Sequence, residues 1–199
     1  MFFPRRYSTA QSKAAAAVYG GVEKITWPNE QRDKTWVCTK ENIMGIQAEI
    51  EGYQPDILFI QWPKDNHPEH VQVAKASYHA LSNSLSIGIH EVYAFEAGEK
   101  QTMDYFVPDF SIDITDAFDT VAQSLKCYAT DHADGEWLTH EKRVCAAFRG
   151  LQNGQNLAEA FRIVKYPDGH DDFYLREMMG DAFRWWGCRQ YPAFGREYF

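Results

Sequence analysis

The sequence predicts an α/β domain built on a mainly parallel sheet, and three observations carry that expectation. Runs rich in apolar, β-branched and aromatic residues alternate along the chain with segments of helical periodicity. One run, "PDILFIQW" at 55–62, is apolar almost without a break from Ile57 to Trp62, as a strand is when helices cover both faces of its sheet. It passes at once into "DNHPEH", a polar step with Pro68 at a first helical position.

In chain order, "STAQSKAAAAVY" at 8–19 favours a helix through its alanines, and Gly20 and Gly21 supply the stop. "VEKITW" at 22–27 reads as a short strand closed by Pro28. Residues 40–53 set Ile43, Ile46, Ile50 and Tyr53 at helical spacing, enough to bury one stripe. After the apolar strand, Val71, Ala74, Tyr78 and Leu81 mark one side of a helix from Pro68. Residues 86–97 and 105–114 read as strands, and "TDAFDTVAQSLKCYAT" as a capped helix with Phe118, Val121, Leu125 and Tyr128 on one face. "EKRVCAAFRGLQNG" and "QNLAEAFRIV" suggest two further helices. The aromatic-rich end, "FRWWGCRQYPAFGREYF", suits a cover for the core or for a neighbouring subunit.

With 199 residues, 45% of them hydrophobic, one well-buried domain over 1–199 is expected. The 28 acidic residues outnumber the 20 basic ones, and no basic run is dense enough to track phosphates, which argues against nucleic-acid binding through a basic face. Cys38, Cys127, Cys145 and Cys188 form no C-x-x-C pair, so reduced, mostly buried thiols are expected. No stretch has the length of a membrane span and no apolar core follows the arginines near the amino terminus, so the expected location is the cytoplasm.

The chemistry is concentrated in "DNHPEH". Loops at the carboxyl ends of strands are where open α/β sheets bind ligands. If Pro68 opens the helix, His67 lies at its cap and His70 within the first turn, one turn apart and facing one volume. The positive helix end disfavours imidazolium and helps keep His70 in the neutral, metal-binding form. Asp65 or Glu69 can orient an imidazole. Two histidines are fewer than the three protein ligands of a usual catalytic zinc site, so the residues alone leave a solvated helix start and a ligand set both open.

The segment "DNHPEHVQVAKASYHAL" resembles the D-x-H-P-D-H segment of the LmbE/PIG-L family of zinc-dependent N-acetylglucosaminyl deacetylases. The order of elements agrees over about residues 8–165: "AAAAVYGGVEKITWP" is similar to the family's helix before a strand. "EIEGYQPDILFIQW" matches its strand step, "SIDITDAFDTVAQSLKCYATD" its acidic turn and helix, and "GLQNGQNLAEAFRIV" its late G-x-x-Y-A-E-A-F-R element. The resemblance implies a Rossmann-like three-layer fold and an amino-sugar substrate whose N-acetyl group is hydrolysed with zinc as cofactor. It makes His70 a zinc ligand, and His67 the group that polarises the carbonyl, stabilises the oxyanion or protonates the leaving amine. Glu69 stands where the family has aspartate and joins His67 in the implied catalytic set, with Asp65 behind the histidines. Arg5 and Arg6 lie close to a substrate-binding arginine of the family.

The family's other signature, H-P-D-D-E, supplies two more zinc ligands and the general base, and no such segment occurs in these residues. The resemblance thus implies a fold lacking its first β-α-β unit: a fragment, a short form completed by another subunit, or a noncatalytic sugar-binding or structural relative. Two other polar stretches, His170-Asp171-Asp172 and Asp131, His132, Asp134 and His140, read as exposed loops rather than replacement ligands. A sheet lacking a unit exposes an edge and an apolar face, so self-association or a complementing subunit is expected. Light scattering on the purified chain should return a mass above that of the 23.0 kDa monomer; a monomer at micromolar concentration contradicts this.

Overall fold

The structure is a computed structural model and describes residues 9–20, 36–84, 88–97, 106–128, 135–167 and 172–187. The described elements are α1 (Thr9–Val18), α2 (Lys40–Tyr53), β1 (Ile57–Gln61), α3 (Pro68–Asn83), β2 (Glu91–Phe95) and β3 (Phe110–Asp113). They continue with α4 (Phe118–Lys126), α5 (Gly135–Asn153), β4 (Ala158–Lys165), α6 (Tyr174–Met179) and β5 (Phe183–Trp185). The five strands form one sheet in the order β1-β2-β4-β3-β5.

The α/β class and layered, Rossmann-like arrangement agree with the expectation, and the pairing refines it. β1, β2 and β3 run in one direction, but β4 enters between β2 and β3 in the other. Only β1 and β2 therefore form a parallel ladder, and the β2/β4, β3/β4 and β3/β5 ladders are antiparallel. Alternation along the strands divides the core by face. On one face, Leu58, Ile60, Val92, Ala94 and Val164 meet Ile46 and Ile50 of α2 and Ala76, Ala80 and Leu81 of α3. On the other, Tyr93, Phe110, Phe161 and Phe183 pack with Phe173 and with Leu175 of α6. β2 is covered on both faces, with Val92, Tyr93 and Ala94 fully buried.

Several expectations are corrected. "QNLAEAFRIV" is not a helix: from Ala158 it is the eight-residue strand β4. The alanines favour a helix locally, but Phe161 and Ile163 alternate with Arg162 and Val164, and a strand in that register fills the gap between β2 and β3. α5 begins earlier than its apolar pattern indicates, at Gly135, so His140 is helical rather than part of a loop. α4 has no side-chain cap; the acidic turn is used one step earlier, where Asp113 Oδ1 accepts the Thr115 N–H at 2.9 Å. Tyr53 falls off the buried stripe of α2 and is exposed. Of the cysteines, Cys145 is buried while Cys38 and Cys127 are only partly so, and no disulfide joins them to one another. The stop at Gly20 is present, with φ at +81°. The strand expected at 22–27, Cys188 and most of the aromatic end lie outside the described residues; Phe183 and Trp185 do pack on the core.

At the amino end of β2, a carboxylate with no exposure ties the last third of the chain to the sheet. Glu91 Oε2 accepts the Tyr93 hydroxyl at 2.7 Å and the Leu175 N–H at 3.1 Å, and Oε1 accepts the Tyr174 N–H. Those two amides belong to the first turn of α6, where backbone donors lack helical partners and favour negative charge. Burial, and then the Glu91 carboxylate, push the Tyr93 phenol well above its ordinary pKa, so it stays a donor at every physiological pH. His90 stacks on Tyr174 with ring centroids 3.9 Å apart and bonds to the Asp172 carbonyl at 2.8 Å. Glu91→Ala strands two buried donors and a part-buried one and should cost roughly 3 kcal/mol in chemical denaturation. Glu91→Gln, which keeps acceptor oxygen in place, should cost clearly less.

Candidate functional site

The site begins where β1 ends. Trp62 donates its N–H to Phe95 O at 2.9 Å and prolongs the ladder by one step, after which the chain turns through residues 63–67 into α3. Pro68 is the first residue of α3 and His67 its N-cap, as expected from the residue order. Proline suits this place because its missing N–H is one the helix start cannot use.

Asp65 organises the turn. Its side chain is fully buried, its Oδ1 accepts the His67 N–H at 2.7 Å, and its Oδ2 lies 2.7 Å from His70 Nδ1. An ionised carboxylate only accepts, so His70 carries its hydrogen on Nδ1, and in the neutral ring Nε2 presents a lone pair. His67 has the opposite arrangement. Its Nδ1 accepts the backbone N–H of Glu69 at 3.3 Å, which forces the neutral ring to carry its hydrogen on Nε2. The two rings stack with centroids 4.5 Å apart and planes 26° from parallel. One turn therefore displays a lone pair beside an N–H donor, with the His70 side chain a quarter exposed.

Beside this turn, at the carboxyl ends of β1 and β2, lies a polar and aromatic group that short-range sequence pattern does not single out. Glu96 accepts two hydrogen bonds from Arg149 of α5, both at 2.6 Å, and the two side chains are 8% and 4% exposed. Arg162 donates to the Val107 carbonyl at 3.0 Å and stacks over Trp62, its guanidinium carbon 5.4 Å from the ring centroid. Phe106 meets the Trp62 ring edge-on at 5.5 Å. Gln61 Nε2 and Trp62 Nε1 are buried donors with no acceptor among the described residues. The only clue in the sequence is a glutamate directly after a buried strand, and its partner is 53 residues away.

The other expected site residues are dispersed. Arg5 and Arg6, Asp131, His132, Asp134, His170 and Asp171 lie outside the described residues. Asp172 is exposed at the amino end of the sheet, where its carbonyl bonds to His90. His140, on α5, has its ring 6.2 Å from that of Trp137. Among the described residues, no group of three His, Cys, Asp or Glu side chains comes together as a metal cluster. His70 fits zinc as a single oriented imidazole ligand, its Nδ1–H braced by a carboxylate, but the described residues do not amount to a complete zinc site.

No family model matches the chain. In fold, it is similar to N,N'-diacetylchitobiose deacetylase from Pyrococcus horikoshii, with a TM-score of 0.58 and 21% identity over 77% of this chain and 61% of that one. It is similar as well to GalB, the 4-carboxy-2-hydroxymuconate hydratase of Pseudomonas putida KT2440, with a TM-score of 0.61 and 19% identity over 78% and 70%. The conserved protein TT1542 from Thermus thermophilus gives a TM-score of 0.59 and 14% identity over 76% and 69%. At these identities the likeness establishes the fold, and one fold that carries both a deacetylase and a hydratase leaves the reaction to be argued from the site. Among the described residues, no helix is long and apolar enough to cross a membrane.

Nitrogen-detected NMR of the histidine side chains should find His67 protonated on Nε2 and His70 on Nδ1. Asp65→Ala should abolish the preference at His70, and the same tautomer at both rings in the parent chain would contradict the geometry.

Proposed function

We propose that this chain is a hydrolase of the LmbE/PIG-L deacetylase type, acting on the N-acetyl group of an amino sugar or its conjugate. The reading is supported by the opposite tautomers on one turn, His67 with a donor and His70 with a lone pair, at the strand end where this fold binds ligands. The co-linear sequence resemblance and the fold shared with a chitobiose deacetylase point the same way.

In this reading Asp65 holds both histidines in register. The His67 Nε2–H donates to the amide carbonyl oxygen as it gains negative charge and keeps its hydrogen throughout, while the proton lost by the attacking water is carried to the departing amine by a general base from outside the described residues. His70 Nε2 would be one ligand of a zinc ion, whose remaining ligands would come from outside the described residues, in this chain or in a complementing subunit. Bound zinc makes water nucleophilic near neutral pH.

Purified protein supplied with zinc should release acetate from N-acetylglucosamine conjugates, and His70→Ala should remove both the bound zinc and nearly all of that release. His67→Ala should retain the zinc and lower the rate by about 10²–10³-fold, the usual loss when an oxyanion donor is removed. Negligible zinc, unchanged by His70→Ala, together with no acetate release, defeats the enzymatic reading. One observation favours a second reading, a noncatalytic sugar-binding or structural relative: the described residues offer one zinc ligand where a catalytic site uses three. Such a protein would keep its thermal stability in chelator and hydrolyse nothing.

A further inference from the structure

Side chains of α2 and α3 bond to the backbone of each of residues 36–38. The Trp36 N–H donates to Glu69 Oε1 at 3.1 Å, and the Cys38 N–H donates to Gln72 Oε1 at 3.0 Å. The Val37 carbonyl accepts from Asn42 Nδ2 of α2 at 2.8 Å, and the next residue, Thr39, caps α2 through its hydroxyl to the Asn42 N–H at 3.2 Å. Trp36 and Cys38 turn inward against the aliphatic core, while Val37 between them is half exposed. This is the alternation of an extended strand. Its amide donors are taken by residues i and i+3 of a helix, which share one face of α3.

Glu69 occupies both sides of this arrangement. Its own N–H is the donor that sets the His67 ring, and its carboxylate is the acceptor that seats Trp36. We propose that Glu69 acts by reach rather than by charge: it is a positioning residue whose side chain fastens residues 36–38 to the turn bearing His67 and His70. This deepens the hydrolase reading and rests on it only where acetate release is measured. Aspartate keeps the charge but loses one methylene, about 1.5 Å of reach, too much for a 3.1 Å bond to survive without backbone movement. Glutamine loses the charge and keeps an acceptor oxygen at the same distance. A residue needed for its charge tolerates aspartate and fails as glutamine; a residue needed for its reach does the opposite.

Cys38 provides a readout independent of activity, because its thiol lies on the fastened segment. Iodoacetamide labelling resolved by peptide mass spectrometry should give parental Cys38 rates in Glu69→Gln and rates raised at least several-fold in Glu69→Asp and Glu69→Ala. Cys145, whose thiol burial and then Glu96 push up to about 11, should stay unlabelled in each and so report an intact fold. If Glu69→Ala does not fold, Gln72→Ala replaces it and should free Cys38 while leaving Cys145 silent. Acetate release should fall at least tenfold in Glu69→Asp. Parental labelling in every variant, or protection in Glu69→Asp with release in Glu69→Gln, overturns the proposal. If the parent chain hydrolyses nothing, the hydrolase reading fails, and the Cys38 rates alone decide the role of Glu69.

Discussion

A carboxylate removed from water must be supplied with donors, and Asp65 obtains its two from the turn that its own residue begins. That requirement sets the direction in which the chain leaves β1, because the His67 amide must point back at Oδ1. It sets where α3 starts, because His67 then stands at the cap with Pro68 after it. It also sets the hydrogen on His70 and so frees the far nitrogen. His67 receives the reverse pattern from the amide of Glu69. The difference in chemistry between two adjacent, stacked imidazoles thus follows from which backbone or carboxylate group each one faces, and neither ring is special by itself.

The sheet supports this turn by dividing its two faces between different kinds of packing. On the α2 and α3 side the buried contacts are aliphatic and small, with Ala76 and Ala80 of α3 at zero exposure allowing the helix to sit close to the strands. On the opposite side rings dominate, Phe110 stacking on Phe161 and Phe183 with centroids 5.4 and 4.6 Å apart. Among the described residues, the charged groups that enter the core beside β2 are paired. Glu91 is satisfied by a phenol and two amides at one end of β2, and Glu96 by the guanidinium of Arg149 at the other. Both pairs bring distant parts of the chain to β2.

Much of this is legible in the residues. The strand at 57–61, the proline-opened helix and the facing histidines follow from short-range pattern, because apolar alternation and helix-start chemistry act over a few neighbours. The helix expected in "QNLAEAFRIV" shows where that range ends. Alanine and glutamate favour a helix in isolation, but the segment meets an open position between β2 and β3, and ladder hydrogen bonds with two strands outweigh a preference of a few tenths of a kcal/mol per residue. The partners of Glu91 in α6, and those of Glu96 and Glu69, are illegible for the same reason: each of these bonds spans more than 30 residues.

Residue order alone settles the α/β class, the strand-to-helix step at Asp65–Pro68, and the presence of His67 and His70 on one turn, since each depends on residues close enough to act on one another before the chain folds. It takes the packed chain to make the sheet mixed, to carry Glu69 across to Trp36, and to bring Arg149 to Glu96 and Arg162 to Trp62. Those features depend on which distant segments meet, and that is governed by burial and by partners for buried polar groups rather than by any local preference.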